Sequence, residues 1–113
     1  MEPVCQLERL VPGRGVAALL SGGVQVAVFR LSDGSLHAVS NRDPFTGSQV
    51  ISRGIVGDRS AEPTVASPLH KQVFSLRTGR CLDDPHAALD VHAVDVRDGT
   101  VRVGTSVGVE AAL

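Results

Sequence analysis

The sequence predicts an all-β domain, a small antiparallel β-sandwich or partly open barrel. Three observations predict it. Valine-rich runs are short and bounded by Gly, Pro, Asp and Ser, the pattern of strands separated by tight turns. Ser32-Asp33-Gly34, Thr78-Gly79 and Asp98-Gly99 each fall between two such runs, and local turns of this kind join antiparallel partners. No segment sustains a 3.6-residue apolar period over the length of a helix.

The elements follow in order. Cys5 falls in an expected first strand, and Leu7–Leu10 reads as a single helical turn. Gly15–Leu20 is the first strong strand, and Ser21-Gly22-Gly23 turns it into Val24–Leu31. There Val24, Val26 and Val28 share one face while Ala27, Phe29 and Leu31 share the other, so the strand is expected to be buried on both sides. Ser35–Val39 follows the Asp33-Gly34 turn. From Asn41 to Pro68 loop formers dominate: Asp43-Pro44, Thr46-Gly47-Ser48, Arg53-Gly54 and Gly57-Asp58. Within it only Thr64–Ala66 reads as strand. A loop region this long in a compact domain marks function, present or past. Gln72–Leu76 and Arg80–Leu82 flank Thr78-Gly79, Pro85–Leu89 reads as one helical turn, and Val91–Arg97 pairs with Thr100–Val103 across Asp98-Gly99.

With 113 residues, the chain suits one domain. Lys+Arg is 11 and Asp+Glu 12, a net charge of -1, which argues against a partner recognised through its phosphates. With no Trp, no Tyr and 3 Phe there is no stacking platform for bases. No apolar run reaches the roughly 18 residues of a membrane span, and MEPVCQLERL lacks the features of a secretory signal. A cytoplasmic protein with reduced thiols is expected.

Candidate chemistry is sparse. Cys5 and Cys81 lie far apart and outside any CxxC pair, which excludes a cysteine-rich metal site. His37, His70, His86 and His92 form no HxH, HxxH or HExxH spacing. His37 and His92 fall in strands, at a core edge or surface, and His86 in a solvated turn. His70 projects from a Pro-bearing turn between two strand-like runs, where it is either a hydrogen-bonded loop residue or a relic of a site. Ser67 lacks a GxSxG context, and Asp83-Asp84 reads as a turn. No acid, base, nucleophile or metal set assembles.

Two unusual segments bracket the middle region: NRDPF (Asn41–Phe45) and SPLHK (Ser67–Lys71). Their layout resembles the Rieske iron–sulfur domain, whose CxH and CxxH loops each give one Cys and one His to the cluster. Ser67-Pro68-Leu69-His70 matches the second loop with Ser for Cys and His retained. Asn41-Arg42-Asp43 matches the first with Asn for Cys and Asp for His. Three of the four ligands are gone, both thiolates among them, and oxygen donors do not replace soft sulfur.

The longer stretches VAVFRLSDGSLHAVSNRDPFTGSQVISRGIVGD and VASPLHKQVFSLRTGRCLDDP resemble the small subunits of bacterial NAD(P)H-dependent assimilatory nitrite reductases. The likeness runs from Val4 to Val103, and NRDPF, SRGIVGD, SPLHKQ and TGRCLDDP carry it. It implies a single Rieske-like domain over residues 1–104, with a smaller loop-rich subdomain bearing the two former cluster loops and a short tail over 105–113; independently of the likeness, the small, weakly patterned residues from Gly104 to Leu113 are expected to fray. It implies a large-subunit partner holding FAD, an iron–sulfur cluster and sirohaem, which reduces nitrite to ammonium with electrons from NAD(P)H in nitrogen assimilation. In this chain it implies no cofactor, no metal and no catalytic residue.

The former cluster positions are then Asn41, Asp43, Ser67 and His70. The loop tip is expected to serve as a partner surface. Phe45 and Leu69 are its apolar anchors, or the filling of the space the cluster leaves. Arg42, Asp43 and Lys71 form its rim, with Pro44 and His70 beside them. Asp43 is alternatively expected to pair with Arg42, His70 or Arg53 and so tie the loops together. A rival reading is an electron-transfer domain with an atypical metal held by His70, Asp43 and Cys81. Another is a β-module of a ring-hydroxylating dioxygenase, against which Asn41 and Ser67 argue because such proteins keep their cysteines.

Overall fold

The computed structural model describes residues 1–108. The strands are β1 (Glu2–Gln6), β2 (Gly15–Leu19), β3 (Gln25–Arg30), β4 (Leu36–Ser40), β5 (Ile55–Arg59), β6 (Glu62–Ala66), β7 (Val73–Ser75), β8 (Val91–Arg97) and β9 (Thr100–Gly108). Six form an antiparallel sheet in the order β1-β9-β8-β4-β3-β2, and three form a second sheet, β5-β6-β7. Short 3-10 turns occupy Leu7–Arg9 and Ile51–Arg53. The outer strands of the large sheet meet at one end. The Glu2 carboxylate on β1 accepts hydrogen bonds from the backbone N–H of Ser21, at 2.8 Å, and from its hydroxyl, at 3.1 Å. This clasp curls the sheet into the expected partly open barrel.

β3 lies between two cores, as its two apolar faces predict. Val26 and Val28 pack inside the barrel with Leu10, Ala38, Val101 and Val103. Ala27 and Phe29 face the smaller sheet and pack with Val39, Ile51, Val65, Phe74, Leu76 and Leu89. Burying a side chain such as Phe29 or Phe74 contributes about 2–3 kcal/mol, so the second core welds the subdomain to the barrel. Asp98 and Gly99 both take positive φ, 51° and 78°, the conformation that a two-residue hairpin turn requires.

Four expectations need correction. The region from Asn41 to Pro68 contains a full hairpin, β5–β6, whose turn residues Ser60 and Ala61 both adopt positive φ, 52° and 69°. Neither residue type favours that conformation, and Pro63 within the central strand β6 argues against a strand there. Pro63 has no N–H to give the ladder, but its carbonyl still pairs, accepting from the N–H of Leu76 at 2.9 Å.

Pro85–Leu89 is a turn, not a helix. Its backbone is committed elsewhere: Cys81 N–H donates to the Ala87 carbonyl, and Leu89 N–H to that of Gly79. Arg80–Leu82 in turn makes only isolated bridges, Phe74 with Cys81 and Arg80 with Ala88. Finally, the last strand runs past Val103, with His92 opposite Ser106 and Val91 opposite Gly108. The rest of the expected tail, residues 109–113, lies outside the described residues. No helix among them is long and apolar enough to cross a membrane.

Candidate functional site: the two loops at the barrel end

The first loop leaves β4 at Asn41. This residue is buried and is held in three directions, two by its side chain and one by its backbone. Its Oδ1 accepts from the N–H of Ser52 at 2.7 Å, its Nδ2 donates to Gln25 Oε1 at 3.2 Å, and its carbonyl accepts from Ile51 N–H at 3.0 Å. An amide holds a loop this way because it both donates and accepts. Asp43 follows, fully buried. Its backbone N–H donates to the Ser48 carbonyl and its own carbonyl accepts from Gly47 N–H, both at 2.8 Å. These bonds close the Asp43–Ser48 turn.

The second loop joins β6 to β7. Ser67 N–H donates to the Gln72 carbonyl, and Lys71 N–H to the Ser67 carbonyl. The Ser67 hydroxyl oxygen also accepts from Leu69 N–H at 3.3 Å. Lys71 sits at φ 66°, a left-handed conformation that costs a side-chain-bearing residue about 1 kcal/mol. Lys71→Gly is therefore expected to leave the chain as stable or to stabilise it by up to about 1 kcal/mol. Thermal denaturation checks this, and a clear loss would mean the lysine side chain is itself holding the loop.

The loops meet through one bond. The Ser67 hydroxyl donates to Asp43 Oδ2 at 2.5 Å, and Phe45 N–H donates to Asp43 Oδ1 at 2.8 Å. Both side chains are buried. A hydrogen bond to a carboxylate in such a setting is among the stronger kinds. The expected link between the loops thus exists, but its partner is Ser67 rather than Arg42, His70 or Arg53. Buried Asp43 therefore does not belong to an exposed rim. Around this bond, Arg42, His70 and Lys71 are exposed, Pro44 is partly covered, and Phe45 and Leu69 are 39% and 45% exposed. The Phe45 ring also stacks at a tilt on Phe74, with centroids 6.3 Å apart. It both fills the space between loop and core and presents a free edge.

Residues 1–104 match the model of the Rieske-like [2Fe-2S] domain family. The chain belongs to that family. It is 42% identical over 101 residues to a nitrite reductase (NADH) small subunit of Salmonella typhimurium, covering 88% of this chain and 93% of the relative. It superposes with a TM-score of 0.87, at 52% identity, on a Mycobacterium tuberculosis protein described as an NADH-dependent nitrite reductase small subunit, covering 89% and 90% of the two chains. It is also 39% identical over 103 residues to a stretch of the nitrite reductase [NAD(P)H] large subunit of Klebsiella oxytoca, covering 91% of this chain and 11% of that protein.

A Rieske cluster needs two thiolates and two imidazoles, and the residues present do not fit one. The four Rieske-like positions offer an amide, a carboxylate, a hydroxyl and one imidazole. Two of them, Asp43 and Ser67, bond to each other where ligands would face a metal. Cys81 is packed in the apolar core beside Phe74. Cys5 is on β1, and burial raises its thiol above the ordinary value against the pull of Arg9. Among the described residues no three of His, Cys, Asp and Glu are placed to hold a metal ion. The alternative set of His70, Asp43 and Cys81 is therefore not assembled. Of the other histidines, His92 Nδ1 bonds to the Gly104 carbonyl at 2.9 Å and the His37 ring to the Ser35 hydroxyl at 3.2 Å, while His86 is exposed in its turn.

Sequence reading singles out the two loops that the Ser67–Asp43 bond joins but misses the three-way role of Asn41 and the choice of Ser67 as partner to Asp43. A hydroxyl and a carboxylate at facing ligand positions were the available signal.

Proposed function

We propose that this chain is the cytoplasmic small subunit of an NAD(P)H-dependent nitrite reductase. It holds no cluster of its own and docks on the large subunit through the Asn41–Phe45 and Ser67–Lys71 loops. The large subunit supplies FAD, an iron–sulfur cluster, sirohaem and the reduction of nitrite to ammonium. One observation carries the reading. A homologous stretch lies within the large-subunit polypeptide of Klebsiella oxytoca, and a domain joined covalently to a partner in one protein is commonly its bound partner in another. Phe45 and Leu69 supply apolar anchors, with Arg42 and Lys71 around them, the usual anatomy of a docking patch.

Two measurements test this. Co-purification with the large subunit is expected, and Phe45→Ala is expected to weaken the complex by about tenfold. Arg42→Ala and Lys71→Ala that change neither affinity nor nitrite turnover would count against these loops as the contact. Protein purified without oxygen is expected to show no visible charge-transfer band and no stoichiometric iron or acid-labile sulfide. A band accompanied by both would make the chain an electron carrier instead.

A further inference from the structure

The strand registers place several separate features at one end of the barrel. Val26 lies opposite Ser40 and Leu19 opposite Gln25. Ser40 N–H donates to the Asp90 carbonyl, and Asn41 N–H to that of Gln25. β9 runs past Glu2 toward Val91. The N-terminus, the C-terminal end of β9, the β2–β3 turn and the first loop therefore share this end. Met1, Leu19 and Val24 are exposed here, while Phe45, Ile55 and Leu69 are exposed on the adjoining subdomain, Ile55 opposite Ala66 and next to Ser67. Exposed Val11 and Val96 lie toward the other end, near Arg30 and Arg97.

Beside the first loop, on the far side of the Gln25–Asn41 hydrogen bond, a groove of about 720 Å³ opens between Met1, Leu20, Val24, Asp90, His92 and Val103. Its walls are largely apolar and its rim carries the exposed carboxylate of Asp90. The loop tip has the opposite sign. With Asp43 buried, its exposed fixed charges are Arg42 and Lys71.

We infer that the docking surface continues from the loops into this groove, which receives an apolar segment of the large subunit flanked by a basic residue. This rests on the small-subunit reading above. Charge complementarity selects the occupant: a basic flank meets Asp90, and an acidic patch on the same partner meets Arg42 and Lys71. Continuity supports it too, since Val24 and Asp90 of the groove adjoin Gln25, which bonds Asn41, and Ser40, which precedes it.

The test measures association of the full chain with the cofactor-loaded large subunit by titration calorimetry. Val24→Glu is expected to weaken binding by at least about tenfold. Val11→Glu, equally exposed at the other end, is expected to leave it unchanged. Circular dichroism checks that each variant folds, and Val24→Ala, with a loss of about threefold, replaces Val24→Glu if that variant does not. Asp90→Lys is expected to weaken binding and to reduce its salt dependence. Wild-type affinity for Val24→Glu and Asp90→Lys beside a loss for Phe45→Ala would overturn the inference and confine the interface to the loops. A wild-type self-association abolished by Val24→Glu would overturn it in favour of a second copy as occupant. Failure of the wild-type chain to bind at all would instead overturn the small-subunit reading beneath it.

Discussion

Ser67→Ala is expected to destabilise the isolated chain by about 2–3 kcal/mol, a fall in melting temperature on the order of 10 °C for a domain of this size. The lost hydroxyl is small, so packing hardly changes. What changes is Asp43. Its carboxylate stays buried and keeps only the Phe45 N–H at Oδ1, while Oδ2 loses its donor. An acceptor stranded in this way costs more than the bond it made. Asp43→Asn, by contrast, removes the charge while keeping an oxygen for Phe45 N–H, and is expected to cost less. In the double variant the stranded charge is gone, so the two losses should fall short of adding by about 1–2 kcal/mol. Thermal or urea unfolding of the four proteins closes the cycle. A Ser67→Ala loss below about 0.5 kcal/mol, the range of ordinary surface changes, would show that the loops do not depend on this bond. In a cluster-bearing Rieske domain the metal ties the two loops; here one hydrogen bond spans the same gap.

Gly54→Ala is expected to cost about 3 kcal/mol or more. Gly54 ends the 3-10 turn that carries the first loop into β5, and its φ of −71° is open to alanine. The obstacle is space. A Cβ there would lie 2.5 Å from the Ala66 carbonyl oxygen and 2.6 Å from a methyl of Val65. The first is backbone within a paired strand, so relief requires moving β6, and Ser67 follows directly after it. Loss of stability should therefore come with loss of large-subunit binding. Gly22→Ala is the matched control. A Cβ at Gly22 meets nothing within 4 Å, and its effect should stay within about 0.5 kcal/mol. Equal melting temperatures for the two variants would mean that strand β6 yields easily and does not fix the second loop.

Much of the fold is legible in the chain because its signals are local. The alternation of Val26 and Val28 with Ala27 and Phe29 places β3 between two cores, and Asp98-Gly99 specifies a two-residue turn. The hairpin β5–β6 was not legible. Its turn, Ser60-Ala61, and its central Pro63 contradict local preference, and only pairing with β7 and packing of Val65 on Phe74 stabilise it. The helical reading of Pro85–Leu89 failed for the same reason, since bonds to Gly79 and Cys81 capture its backbone.

For the site the division is similar. Residue identity alone yields the two loops, the loss of both thiolates and the family, because it sets what a metal can bind. It took the packed fold to show that Asp43 turns inward to Ser67, that the exposed fixed charges of the tip are therefore cationic, and that Val24 and Asp90 stand beside it. Those facts depend on distances between residues remote in the chain, and packing and strand register, not local preference, set such distances.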